Sequence, residues 1–126
     1  MTIPESAAKG EWLEGVFDSV DNQDTARFVA YLCQDAEFCF GSAPAVKGHE
    51  QISAAVDGFF SSIAGCSHQL HNTWFGEATI ACEGAVTYQR HDGSEITLPF
   101  ANVFDMDGDL VSRYKIYIDI GPLYAG

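Results

Sequence analysis

Asp119 is the residue of this sequence whose setting best suits proton transfer. It stands between Ile118 and Ile120, just before Gly121-Pro122, and a carboxyl group in so apolar a stretch fits a general acid or base. The competing reading is a strand-end aspartate that caps the following turn or faces water. Asn102 lies two residues from Phe100 and two from Phe104, so on a strand all three share one face. An amide between two aromatics is either a buried hydrogen-bonding strut or a donor to a ligand oxygen, and it needs no change of charge to act. His68 and His71 would share a face on a helix but point to opposite faces of a strand, which rules out joint chelation of one metal. One of the two can pair with Asp119 as an acid–base couple; His71 is the preferred one, and His68 is placed in the pocket wall. Either also reads as a satisfied core or interface histidine. Tyr117 and Lys115 share the face of Asp119, so the Tyr117 hydroxyl would hold a ligand oxygen, while Lys115 would pair with a carboxylate or reach to the rim. Phe17, Phe59, Phe100, Trp74 and Tyr88 complete the expected pocket wall.

Other motifs carry less. Asp105-Met106-Asp107-Gly108-Asp109 resembles the start of a calcium loop, but the sixth and twelfth positions hold Leu110 and Ile116, where an EF-hand needs Gly and an acid. It reads as a hairpin turn. The four cysteines, Cys33, Cys39, Cys66 and Cys82, form neither a C-x-x-C nor a zinc spacing, and read as reduced, mostly buried apolar residues. Phosphate-binding and dinucleotide glycine motifs and the serine elbow do not occur. The expectation is therefore no metal and no cofactor.

The elements that must position these residues follow from periodicity. Residues 7–20 place Trp12, Leu13, Val16, Phe17 and Val20 on one helical stripe. The polar run Asp21-Asn22-Gln23-Asp24 ends that helix, and Asp24 can cap a second one that buries Phe28, Val29 and Leu32. A short strand at 36–40 and a Gly-Ser-Ala-Pro loop lead to a third helix at 48–63, with Ile52, Val56, Phe59, Phe60 and Ile63 along one side. Beyond Gly65 the period changes to two. Strands are expected at 67–75, 79–90, 95–104 and 110–120, separated by short hairpin signals. Helices followed by a meander give an α+β fold: three N-terminal helices packed on a strongly curved antiparallel sheet, forming a cone with one interior pocket.

At 126 residues the chain has room for one domain, spanning 1–126. It is 47% hydrophobic and 13% aromatic, which excludes disorder. A net charge of −12 with six scattered Lys and Arg argues against nucleic acid and anionic membrane surfaces as partners. Apolar runs fall far short of a membrane span. Met1 to Glu5 has neither a basic start nor an apolar stretch, so a cytoplasmic location is expected. The long later strands, apolar on both faces in places, suggest a homodimer through the sheet.

The order of elements resembles the nuclear transport factor 2-like superfamily, in its SnoaL-like branch. The resemblance rests on the acidic turn Asn22-Gln23-Asp24, on Lys47-Gly48-His49-Glu50-Gln51-Ile52 opening the third helix, on Leu98 to Phe104 running into Asp107-Gly108, and on the closing Tyr117-Ile118-Asp119. Polyketide cyclases, ketosteroid isomerases, limonene epoxide hydrolases and scytalone dehydratases are relatives in that superfamily. The resemblance implies a cone-shaped pocket, an acid in the final strand as base, and a polar residue at Asn102. It also shows departures: the first strand lacks the isomerase base, and Arg90-His91-Asp92 sits in a turn where the epoxide hydrolases have a mid-strand pair. The expected function is binding of an apolar carbonyl-bearing small molecule with cofactor-free cyclisation, isomerisation or dehydration, catalysed by Asp119, Asn102 and His71. The alternative is a non-catalytic carrier or a dimerisation module.

Overall fold

A computed structural model describes residues 5–125; the N-terminal residues read for a signal lie mostly outside them. Helix α1 spans Glu5–Asp21 and buries Leu13, Val16 and Phe17, three positions at helical spacing. The short helix α2, Thr25–Val29, starts where the Asp24 carboxylate accepts the Arg27 N–H at 3.2 Å, the cap expected of that residue. Strand β1, Leu32–Phe40, is longer than its apolar pattern suggested. It pairs with a two-residue strand β2, Val46–Lys47. Helix α3, His49–Ser61, follows Gly48, whose φ of +85° is open to glycine at little cost. It buries Ile52, Val56 and Phe60.

Four long strands complete the sheet: β3 Gly65–Phe75, β4 Thr79–Gln89, β5 Glu95–Asp107 and β6 Leu110–Tyr117. A last short helix α4, Gly121–Tyr124, was not legible in the sequence. The sheet is six-stranded, in the order β2-β1-β6-β5-β4-β3. The meander is antiparallel as expected, but β1 runs parallel to β6, so the sheet is mixed. Helix α3, between β1 and the meander, lets the chain cross over, which a hairpin does not. Among the described residues no helix is long and apolar enough to cross a membrane.

The inward face is set by alternation. On β4 it carries Ile80, Cys82, Val86 and Tyr88; on β5 it carries Leu98, Phe100, Asn102 and Phe104; on β6 it carries Val111 and Tyr114, three apart because Ser112 is an extra residue in the ladder. These pack with the apolar stripes of α1 and α3 in one core. Register irregularities fall on β1, β3 and β6, and such bulges bend a strand and increase its twist.

Candidate functional site

The core does not close completely. Between α3 and the inward face of the sheet lies a cavity of about 200 Å³. Phe40, Phe59, Val86, Phe100 and Ile116 form much of its wall, and Ala43 and Ala55, both exposed, stand at its edge. The polar groups on this wall come from Cys66, His68, Tyr88, Asn102 and Tyr114. Such a mostly apolar concavity with a few convergent polar groups suits a small organic ligand.

His68 is the best-held of them. Its ring sits 4.9 Å from the Phe17 ring and 5.2 Å from that of Phe100. Asp21, the last residue of α1, lies 2.5 Å from His68 Nδ1 with its Oδ1, while its Oδ2 accepts the His68 backbone N–H at 3.1 Å. A carboxylate oxygen accepts, so Nδ1 carries a proton, and in the neutral ring the lone pair is on Nε2. The His68 side chain is only 10% exposed. Cys66, two residues earlier and on the same face, points its thiol at the Val20 carbonyl and at Asp21 Oδ1, 3.7 Å from each. Burial, and then the neighbouring Asp21, pushes that thiol up to about 12. The Cys82 thiol is pushed up to about 12 by burial as well.

Asn102 and Tyr114 form the second polar pair. They are diagonal neighbours on the β5–β6 ladder, where Asn102 stands opposite Ile116 and Tyr114 opposite Phe104, and Asn102 Nδ2 donates to Tyr114 Oη at 3.2 Å. Asn102 Oδ1 is buried without a partner among the described residues, a costly state for an amide oxygen. Burial, followed by the proximity of Cys82 and Tyr88, holds the Tyr114 phenol well above its ordinary value. Tyr88 is pushed up in the same way, again mainly by burial.

Several expectations are corrected. Asp119 is exposed, lies beyond the end of β6, and accepts the Gly121 N–H at 3.0 Å with its Oδ1; it caps the turn and does not line the cavity. Tyr117 is 52% exposed, with Lys115 Nζ 4.9 Å from its ring centroid. The alternation of β6 was as read, but its phase was not: Tyr114 and Ile116 point inward, so Lys115 and Tyr117 point outward. His71 is exposed. It occupies the bulge between Leu70 and Asn72, so parity counted from His68 fails there. Trp74, 55% exposed, is on the outer face. Phe17 is buried behind His68 and Phe100, and is not on the cavity wall. Asn102, His68, Phe100, Phe59 and Tyr88 do line the cavity. Asp21, Cys66 and Tyr114 were missed. Cys66 and His68 are two apart on a strand, and this spacing was the available signal; Asp21 was read only as part of a helix end.

A curved open sheet with helices on one face and a cavity between them defines a cone of the nuclear transport factor 2 type. The SnoaL-like domain family matches residues 13–114, and the chain belongs to that family. Solved structures share the fold at low identity. A protein from Jannaschia sp. CCS1 described as a SnoaL-like polyketide cyclase is 16% identical, with a TM-score of 0.82 over 98% of this chain and 93% of its own. TerC, crystallised with polyporic acid, is 14% identical, with a TM-score of 0.79 over 90% and 93%. An LEH-like epoxide hydrolase of M. tuberculosis is 14% identical, with a TM-score of 0.74 over 87% and 81%. No curated protein matches the chain.

Proposed function

We propose that the cavity binds an apolar, carbonyl-bearing small molecule and that His68, oriented by Asp21, moves a proton on it in a cofactor-free cyclisation, isomerisation or dehydration. The observation that carries this reading is the His68 ring on a mostly apolar wall, with Nδ1 tied to a carboxylate. Nε2 is then the base, and Asp21 stabilises the imidazolium formed when it takes a proton. Charge developing on the substrate oxygen needs a donor. Tyr114 Oη accepts from Asn102, which leaves its own proton for that oxygen, and its raised value keeps it a phenol. The polyketide cyclase and TerC support the class of ligand by fold alone. Carriage without turnover is the second reading, favoured by the position of Asp119 and Tyr117 outside the cavity.

Hydrogen–deuterium exchange next to the carbonyl of a panel of cyclic and aromatic ketones, followed by NMR, tests the reading without a known substrate. At least one ketone should exchange faster with protein, and His68→Gln should slow that exchange by about a hundredfold to ten-thousandfold while keeping the fold. Undiminished exchange in His68→Gln would remove His68 as the base; no exchange on any ketone would favour the carrier.

A further inference from the structure

We propose that Asp21, Cys66 and His68 form a binding site for one zinc-class divalent cation, open toward the cavity. The chain gives no sign of this by spacing, because Asp21 is 45 and 47 residues from the other two. The fold closes that gap. The end of α1 lies on β3, and Cys66 and His68, alternate residues of one strand, turn to the same side. One ligand atom from each residue, a sulfur, a ring nitrogen and a carboxylate oxygen, lies within 4.8 Å of the others.

The donor set is that of a borderline metal: thiolate and imidazole select zinc and its neighbours over calcium or magnesium. Metal–ligand bonds of about 2.0–2.3 Å in a tetrahedron set ligand–ligand edges of about 3.3–3.6 Å. The Cys66 Sγ–Asp21 Oδ1 distance is already 3.7 Å. The Asp21 Oδ1–His68 Nδ1 distance of 2.5 Å has to open by roughly 0.8 Å to admit the ion, a small turn of a carboxylate side chain that is 27% exposed. The supports that orient metal ligands are in place: the His68 ring stands between two aromatic rings, and the His68 N–H holds the other Asp21 oxygen. Two of the three ligands line the cavity, so the fourth position faces it, as in sites that bind a small ligand on the metal. On binding, the Cys66 proton leaves to solvent and the His68 proton moves from Nδ1 to Nε2. Where the acid–base reading above holds, the ion removes the free Nε2 lone pair and blocks the reaction.

Titration of chelator-treated protein with Co²⁺, followed by absorption, reads the site directly. We expect one Co²⁺ per chain with the strong visible bands of a four-coordinate ion and a sulfur-to-cobalt charge-transfer band, both lost on adding Zn²⁺, which binds more tightly. Cys66→Ser should abolish the charge-transfer band and weaken binding at least tenfold, and Cys82→Ser should change neither. Asp21→Asn should weaken binding similarly and serves if the serine variant does not fold. No uptake up to about 100 µM Co²⁺, no charge-transfer band, or a spectrum unaltered by both variants would overturn the proposal. Exchange on ketones, measured on the metal-free protein, is independent: its failure alone leaves the cation site standing, and failure of metal binding leaves the dyad.

Discussion

His68 acquires its role from what surrounds it. Two rings fix its plane and Asp21 fixes its tautomer, so the nitrogen left for chemistry is chosen before any ligand arrives. Asp119 shows the opposite: its side chain is spent on the Gly121 N–H. Asp119→Ala should therefore cost only about 1 kcal/mol in stability and leave ligand affinity and proton exchange unchanged, read as a melting temperature and an exchange rate on the same variant. A stable but inactive protein would return Asp119 to the site. The contrast shows what the sequence held at this scale. Period-two alternation in β6 was legible, but which parity faces inward depends on what the strand packs against, and no local residue states that. Asn102 was legible because its neighbours Phe100 and Phe104 are strongly apolar. Asp21 was not, since its partners lie far along the chain.

At the level of elements, the bulge at His71 decides which residues reach the cavity. Before it, Cys66 and His68 pair with Tyr88 and Val86; after it, Thr73 pairs with Cys82, again on the inward side. The inward parity thus switches within one strand. Gly84, paired with Leu70 at the edge of this irregularity, has no room for a Cβ, which would run into the Gln69 carbonyl. Gly84→Ala should push β3 away from β4 and destabilise by about 2–4 kcal/mol, with loss of ligand binding as His68 shifts. A melting temperature within two degrees of the wild type, on the order of 0.5 kcal/mol, would show that β3 yields without strain. The helices and the meander were readable from their periods. The parallel pairing of β1 with β6 was not, because pairing between strands far apart in sequence depends on how the intervening chain, with helix α3, packs. Helix α4 was missed for its four-residue length; it is tied down by Arg90, which donates to the Leu123 and Pro122 carbonyls.

At the scale of the whole molecule, the outer face of the sheet exposes Trp74 and Tyr117 among the described residues. Trp74, Ala81, Val103 and Lys115 form one cross-strand row there, and Asn72, Glu83, Ala101 and Tyr117 the next. We expect a second copy of the chain on this face. Sedimentation at about 20 µM should give a dimer, and Val103→Glu should give a folded monomer; a wild-type monomer at that concentration would contradict it.

The central claim is that the cavity takes up an apolar ligand beside His68, and a fluorescence titration with the neutral probe N-phenyl-1-naphthylamine tests it most directly. Ala55 is exposed on α3 yet touches the cavity, so Ala55→Trp can obstruct the entrance without overpacking the core. The expected result is saturable enhancement at one site per chain, with affinity at least tenfold weaker in Ala55→Trp. Enhancement that never saturates, or an affinity that Ala55→Trp leaves unchanged, would contradict it.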